Sequence, residues 1–133
     1  MRPFLLLIAP MLAQVSTAKA DDCGNQQTQA SMNECANQAF KKSDSELNAV
    51  YKEIKDRLKG DADKTNLLTT AQRAWVAYRD GECTFSASGV SGGSAYPFIY
   101  DSCLTSLTEK RISDLKVYAA CQEGDLSCPV PAK

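Results

Sequence analysis

Histidine is missing from all 133 residues. Its absence removes the side chain that most often serves as general base near neutral pH and most often ligates zinc. There is no CxxC redox pair, no P-loop and no dinucleotide-binding glycine fingerprint; the cluster Ser91-Gly92-Gly93-Ser94 matches neither glycine motif. Beyond residue 20 no run is long and apolar enough for a membrane span. An excess of positive charge is lacking too: 15 Lys and Arg stand against 16 Asp and Glu. That balance argues against a nucleic-acid partner, which would normally meet a basic patch. Tryptophan occurs once, at Trp75, and charge vanishes altogether from Phe85 to Tyr100.

What is present begins with a secretory signal. Arg2 is a positive n-region, Phe4 to Leu12 an apolar h-region, and Ala18-Lys19-Ala20 an A-x-A cleavage site. Residues 1–20 are therefore expected to be a signal peptide and 21–133 the mature chain. Without Arg2 and Lys19, 13 basic side chains face 16 acidic ones, a net charge of −3. All six cysteines, 23, 35, 83, 103, 121 and 128, lie beyond the cleavage site. An even count behind a signal reads as three disulfides in an oxidising compartment, periplasmic or extracellular. Six cysteines permit 15 pairings, and pairing of neighbours is favoured: Cys23–Cys35, Cys83–Cys103 and Cys121–Cys128.

The apolar pattern is helical throughout. Ser31-Met32-Asn33-Glu34 has the form of a capping box. A stripe from Met32 through Leu47, Val50, Tyr51 and Ile54 to Leu58 follows, with a weak point at Ser43-Asp44-Ser45 where the helix would kink or restart. Gly60 is a natural stop. A second helix is expected from about Lys64 to Glu82, capped by Asp63 or Thr65, with Leu67, Leu68, Ala71, Trp75 and Tyr78 on its apolar face. Pro97 suits the first position of a third helix, which would end near Ala120. The fold class expected is all-α: a small disulfide-stapled antiparallel helical bundle of three to four helices, monomeric. The domain covers 21–120, and residues 121–133 form an extended C-terminal tail pinned by Cys128.

Chemistry of the usual kinds is hard to assemble. Disulfide-bonded cysteines neither attack nor ligate. Asp80 and Glu82, like Asp44 and Glu46, are two residues apart and do not face each other on a helix. No enzyme, cofactor or metal is expected. The segment Ser86 to Tyr96 is the strongest candidate for contact with a partner. It lies between Cys83 and Cys103 and is itself about eleven residues long, more than a helix connection requires, and its Ser, Gly and Tyr content suits adaptable contacts. The contact residues expected are Ser91, Gly92, Gly93, Ser94 and Tyr96. Gln72, Trp75, Arg79 and Arg111 are expected to hold the loop in shape, with Arg79 bonded to loop carbonyls or to a carboxylate such as Asp80 or Asp101. Asn48 and Tyr51 would be their counterpart on the first helix.

The series Gln72-Arg73-x-Trp75-x-x-Tyr78-Arg79-Asp80-x-x-Cys83, then Gly92-Gly93-Ser94, Cys103 and Thr108-x-x-Arg111-x-x-x-Leu115, resembles the LprI-type lysozyme-inhibitor family. Cys23, Asn33-Glu34-Cys35 and Leu47-Asn48-x-x-Tyr51 fit the same pattern, so the likeness spans Cys23 to Leu115. It implies a secreted or periplasmic binding protein that blocks the cleft of a lysozyme, a glycosidase working with two carboxylates. The alternatives are a cell-envelope interaction module with another partner and no inhibitory activity, and a carbohydrate-active enzyme.

Overall fold

Thr28 opens the first helix. Its hydroxyl accepts from the Ser31 amide at 3.1 Å, and the Ser31 hydroxyl accepts in return from the Thr28 amide at 3.2 Å. The exchange satisfies two donors that a helix start leaves unpaired. It lies one turn before the box expected at Ser31–Glu34, and Glu34 instead accepts from Gln38. In this computed structural model, which describes residues 20–133, the helix α1 runs unbroken over Gln29–Arg57. The expected signal peptide falls on residues that, up to position 19, lie outside the described ones.

No kink or restart occurs at Ser43-Asp44-Ser45. The buried Ser43 hydroxyl donates to the Phe40 carbonyl at 2.9 Å, which absorbs its polarity inside the helix. Asp44 is polar because it meets a polar stretch of α2. After α1, Gly60 takes φ +93°, a left-handed turn that glycine adopts without steric cost. Asp61 then caps α2, Ala62–Ser86, by accepting from the Lys64 amide at 3.0 Å. That cap starts the helix before the expected Lys64, and the helix continues a turn past Glu82. A short 3₁₀ turn, Ser88–Val90, leads to α3, Tyr96–Ala119, with Pro97 in its first turn.

Successive helices are antiparallel. Tyr51 meets Thr69 and Asp44 meets Arg79, so α2 descends as α1 rises. Asn37 bonds Asp101 at one end and Glu46 bonds Lys116 further along, so α3 runs parallel to α1. The result is an all-α, three-helix up-down-up bundle, with no strand among the described residues. Three disulfides staple it in the pairing of neighbours: Cys23–Cys35, Cys83–Cys103 and Cys121–Cys128.

The aliphatic core occupies the end of the bundle away from the glycine connection. Leu47, Val50 and Ile54 of α1 and Leu58 at its C-cap meet Ile112 and Leu115 of α3, and Val130 from the tail completes the cluster. The tail itself turns at Gln122–Asp125 and again at Asp125–Cys128 before Val130 is buried. The second helix enters this core differently from the expectation. Leu67 is 70% exposed and Tyr78 56% exposed. The face of α2 turned inward carries Leu68, Gln72, Trp75, Arg79 and Cys83, and its buried members are Gln72, Arg79 and Cys83. The inward seam is thus rotated from the purely apolar one, because α2 docks largely through polar side chains.

Candidate functional site

The connection between α2 and α3 is built from consecutive tight turns. Val90 donates to Ala87, Ser91 to Ser88, Gly93 to Val90 and Tyr96 to Gly93, at 3.0–3.2 Å. Two glycines make this path possible. Gly92 has φ +76°, and a Cβ on Gly93 would lie 3.1 Å from the Val90 carbonyl oxygen. At its base, Ala87 is fully buried, and Cys83–Cys103 ties the last turns of α2 to the second turn of α3 with Cα atoms 5.5 Å apart. At its far side the Asn33 side-chain amide, on α1, donates to the Ser94 carbonyl at 2.9 Å. The segment is therefore held by a disulfide, its own amides and a third helix. Its ordering cost has largely been met before any partner arrives.

Residues 88–94 are all exposed. Among the described residues the hydroxyls of Ser88, Ser91 and Ser94 have no hydrogen-bond partner, which leaves them free as donors or acceptors. Tyr96 is different. It is half-buried and stacks on Tyr100 with ring centres 5.6 Å apart. Burial, helped by the nearby Asp80 charge, pushes the Tyr100 phenol above its ordinary pKa. Three apolar side chains that sequence reasoning did not single out lie close in the chain: Phe85, 76% exposed, Val90 and Ile99. The signal was available, since the uncharged stretch begins at Phe85.

Gln72, Trp75, Arg79 and Arg111 come together one turn and more below the disulfide. Arg79 is 7% exposed. Its Nε donates to Asp80 at 2.9 Å, and its Nη1 reaches Asp44 at 3.3 Å and the Thr108 hydroxyl at 3.4 Å. Its guanidinium lies 5.3 Å from the Phe40 ring centre and 5.1 Å from that of Trp75. Arg111 approaches Trp75 at 5.9 Å and donates to the Gln72 side-chain oxygen at 3.0 Å. One indole thus receives two cations, and the charges are spread over aromatic faces and carboxylates rather than left bare in the interior.

These hydrogen bonds go to helices, not to the carbonyls of residues 87–95. Asp101 pairs with Asn37 rather than with Arg79. Asn48 joins the cluster indirectly by donating to Asp44 at 3.5 Å, whereas Tyr51 bonds Thr69 elsewhere on α2. The carboxylates of Asp44 and Asp80 are engaged by Arg79, and Glu82 is exposed. Among the described residues no group of three or more Cys, Asp or Glu converges as a metal site, and no helix is long and apolar enough to cross a membrane.

Comparison with known proteins agrees with the motifs. The family described as lysozyme inhibitor LprI matches residues 20–115. An uncharacterized protein of Rhizobium meliloti (strain 1021) is 37% identical over 106 aligned residues, which cover 71% of this chain and 76% of the relative. No solved structure matches.

Proposed function

Because the chain belongs to the LprI family of lysozyme inhibitors, we propose that it is an exported, monomeric protein that binds a lysozyme and blocks its cleft with the connection between α2 and α3. The observation that carries this reading is the state of residues 88–94: uncharged, exposed, fixed in shape and bearing unpartnered hydroxyls. A lysozyme cleft holds two carboxylates on either side of the scissile bond. A narrow neutral segment enters such a cleft without bringing a charge that must be desolvated. Its serine hydroxyls and glycine amides offer donors to the carboxylates, and Gly92 and Gly93 let the backbone come close. Phe85 and Val90 supply apolar area beside the polar tip, the usual make-up of a binding hot spot with its surround.

The remaining named residues act behind the contact surface in this reading. Cys83, Cys103 and Asn33 set the loop's path, while Gln72, Trp75, Arg79 and Arg111 lock the helices from which it springs. Three disulfides support a place outside the cytoplasm, periplasmic or secreted. The decisive experiment is lysis of a cell-wall suspension by lysozyme with the parent protein and with a variant whose residues 88–94 are cut to a minimal turn. The parent slows lysis at stoichiometric concentration and the folded variant does not. Equal inhibition by both would place the contact on a helix face, and no inhibition by the parent against any lysozyme would leave the chain a non-inhibitory envelope module.

A further inference from the structure

At the opposite end of the bundle from the glycine connection lies a cleft of about 260 Å³ that the lysozyme reading does not use. Its walls come from all three helices and from the tail: Ile54 of α1, Leu68 and Ala71 of α2, Tyr118 of α3, and Val130. The exposed Leu67 stands at the same opening. The two ionic side chains that line it, Lys64 and Arg111, are both cations, and no carboxylate lines it. The surface hollow around Lys52, Asp56 and Lys133 differs, since its charges are already paired with one another or with Glu53.

Arg111 is the informative residue. It is half-buried, uses Nε on Gln72 and one face on Trp75, and has no carboxylate partner among the described residues. A half-buried guanidinium ordinarily finds a planar anion, for which its fork is shaped. Lys64 adds a second positive charge, itself 3.5 Å from Asp61. An apolar hollow with a convergent cationic edge is the pattern of a small-molecule site. At the roughly 30 Å³ that each water-sized heavy atom occupies, the cleft holds about nine such atoms.

We infer that this cleft binds a compact amphipathic anion, a medium-chain carboxylate, with its tail against Leu68, Ala71, Tyr118 and Val130 and its head on Arg111. The site is independent of the lysozyme-binding loop. The ligand's carboxylate takes the two Nη groups that Gln72 leaves free, and its chain replaces water on the apolar walls. Trp75, in contact with Arg111, reports the event by its fluorescence.

The test is calorimetric titration of the oxidised full-length mature protein with octanoate, with 1-octanol and octyltrimethylammonium as neutral and cationic counterparts. Octanoate binds saturably at one site, octanol at least about fivefold more weakly, and the cation not at all. Ala71→Phe fills the cleft from an exposed helix position and weakens octanoate at least about tenfold. Arg111→Gln removes the head contact and weakens it by a similar factor, in line with a charge-assisted hydrogen bond, while Arg111→Lys retains part of the affinity. Should Arg111→Gln fail to fold, Ala71→Phe and amide chemical-shift mapping on the parent decide the matter. Absence of saturable binding, equal affinity for octanol, shifts located away from the cleft or an undiminished Ala71→Phe would each overturn the assignment.

Discussion

Arg79 of α2 reaches Asp44 of α1 at 3.3 Å, and the two residues differ sharply in setting: the arginine side chain is 9% exposed and the aspartate 39%. The contact therefore matters more to the arginine than to its partner. Asp44→Asn should cost on the order of 1 kcal/mol or less, as for a half-exposed pair. Arg79→Ala removes the guanidinium from between two rings, frees Thr108 and leaves a hole, and should cost roughly 2–3 kcal/mol. Arg79→Lys should recover only part of this, because an ammonium cannot serve Asp80, Asp44 and Thr108 with one planar fork. Urea denaturation with the disulfides intact measures all three.

The turn at Gly92 gives a second test. Ala at φ +76° is strained, so Gly92→Ala should cost about 1–2 kcal/mol of local stability. Hydrogen exchange should speed up at the amides of Val90 to Tyr96 while the helix amides keep their protection. If the whole bundle loosened instead, the connection would be part of the cooperative core.

Replacing Cys83 and Cys103 together by Ser opens a loop whose closure contributes about 3 kcal/mol in the chain-entropy account. Thermal melts should register that loss. Helix content by circular dichroism at low temperature should hardly change, whereas affinity for a lysozyme should fall because the connection must then be ordered on association.

Single truncations separate contact residues from packing residues. Phe85→Ala should leave stability within about 0.5 kcal/mol, since the ring is exposed, yet cost about 1–3 kcal/mol of lysozyme binding if the connection is the contact surface. Ser91→Ala and Ser94→Ala should each cost about 1 kcal/mol of binding. Tyr96→Ala should lower both stability and affinity, because its ring stacks on Tyr100. Calorimetry beside a melting curve for each variant distinguishes the two patterns.

Much of the bundle could be read in the chain. Helix-period apolar residues gave three helices, Gly60 and Pro97 marked a stop and a start, and spacing along the chain favoured the three disulfides found. Three features were hidden, each for a physical reason. Thr28 outcompeted Ser31 as a cap because both hydroxyls act together at the earlier position. The Ser43 region looked like a break because its polarity is satisfied by the helix's own carbonyl and by a residue 35 positions away. The face of α2 was misjudged at Leu67 and Tyr78 because a buried Gln72 and Arg79 occupy positions that hydrophobicity alone assigns to solvent. Which residues meet across helices was therefore invisible, and with it the pairing of Arg111 with Gln72 at the edge of a cleft.

Val130, three positions from the last residue, is 5% exposed and fills the core beside Ile54 and Leu58. The tail is therefore a stopper for the aliphatic end of the bundle: a cut between Cys128 and Val130 would leave the staple in place yet uncover Ile54, Leu58 and Leu115 to water.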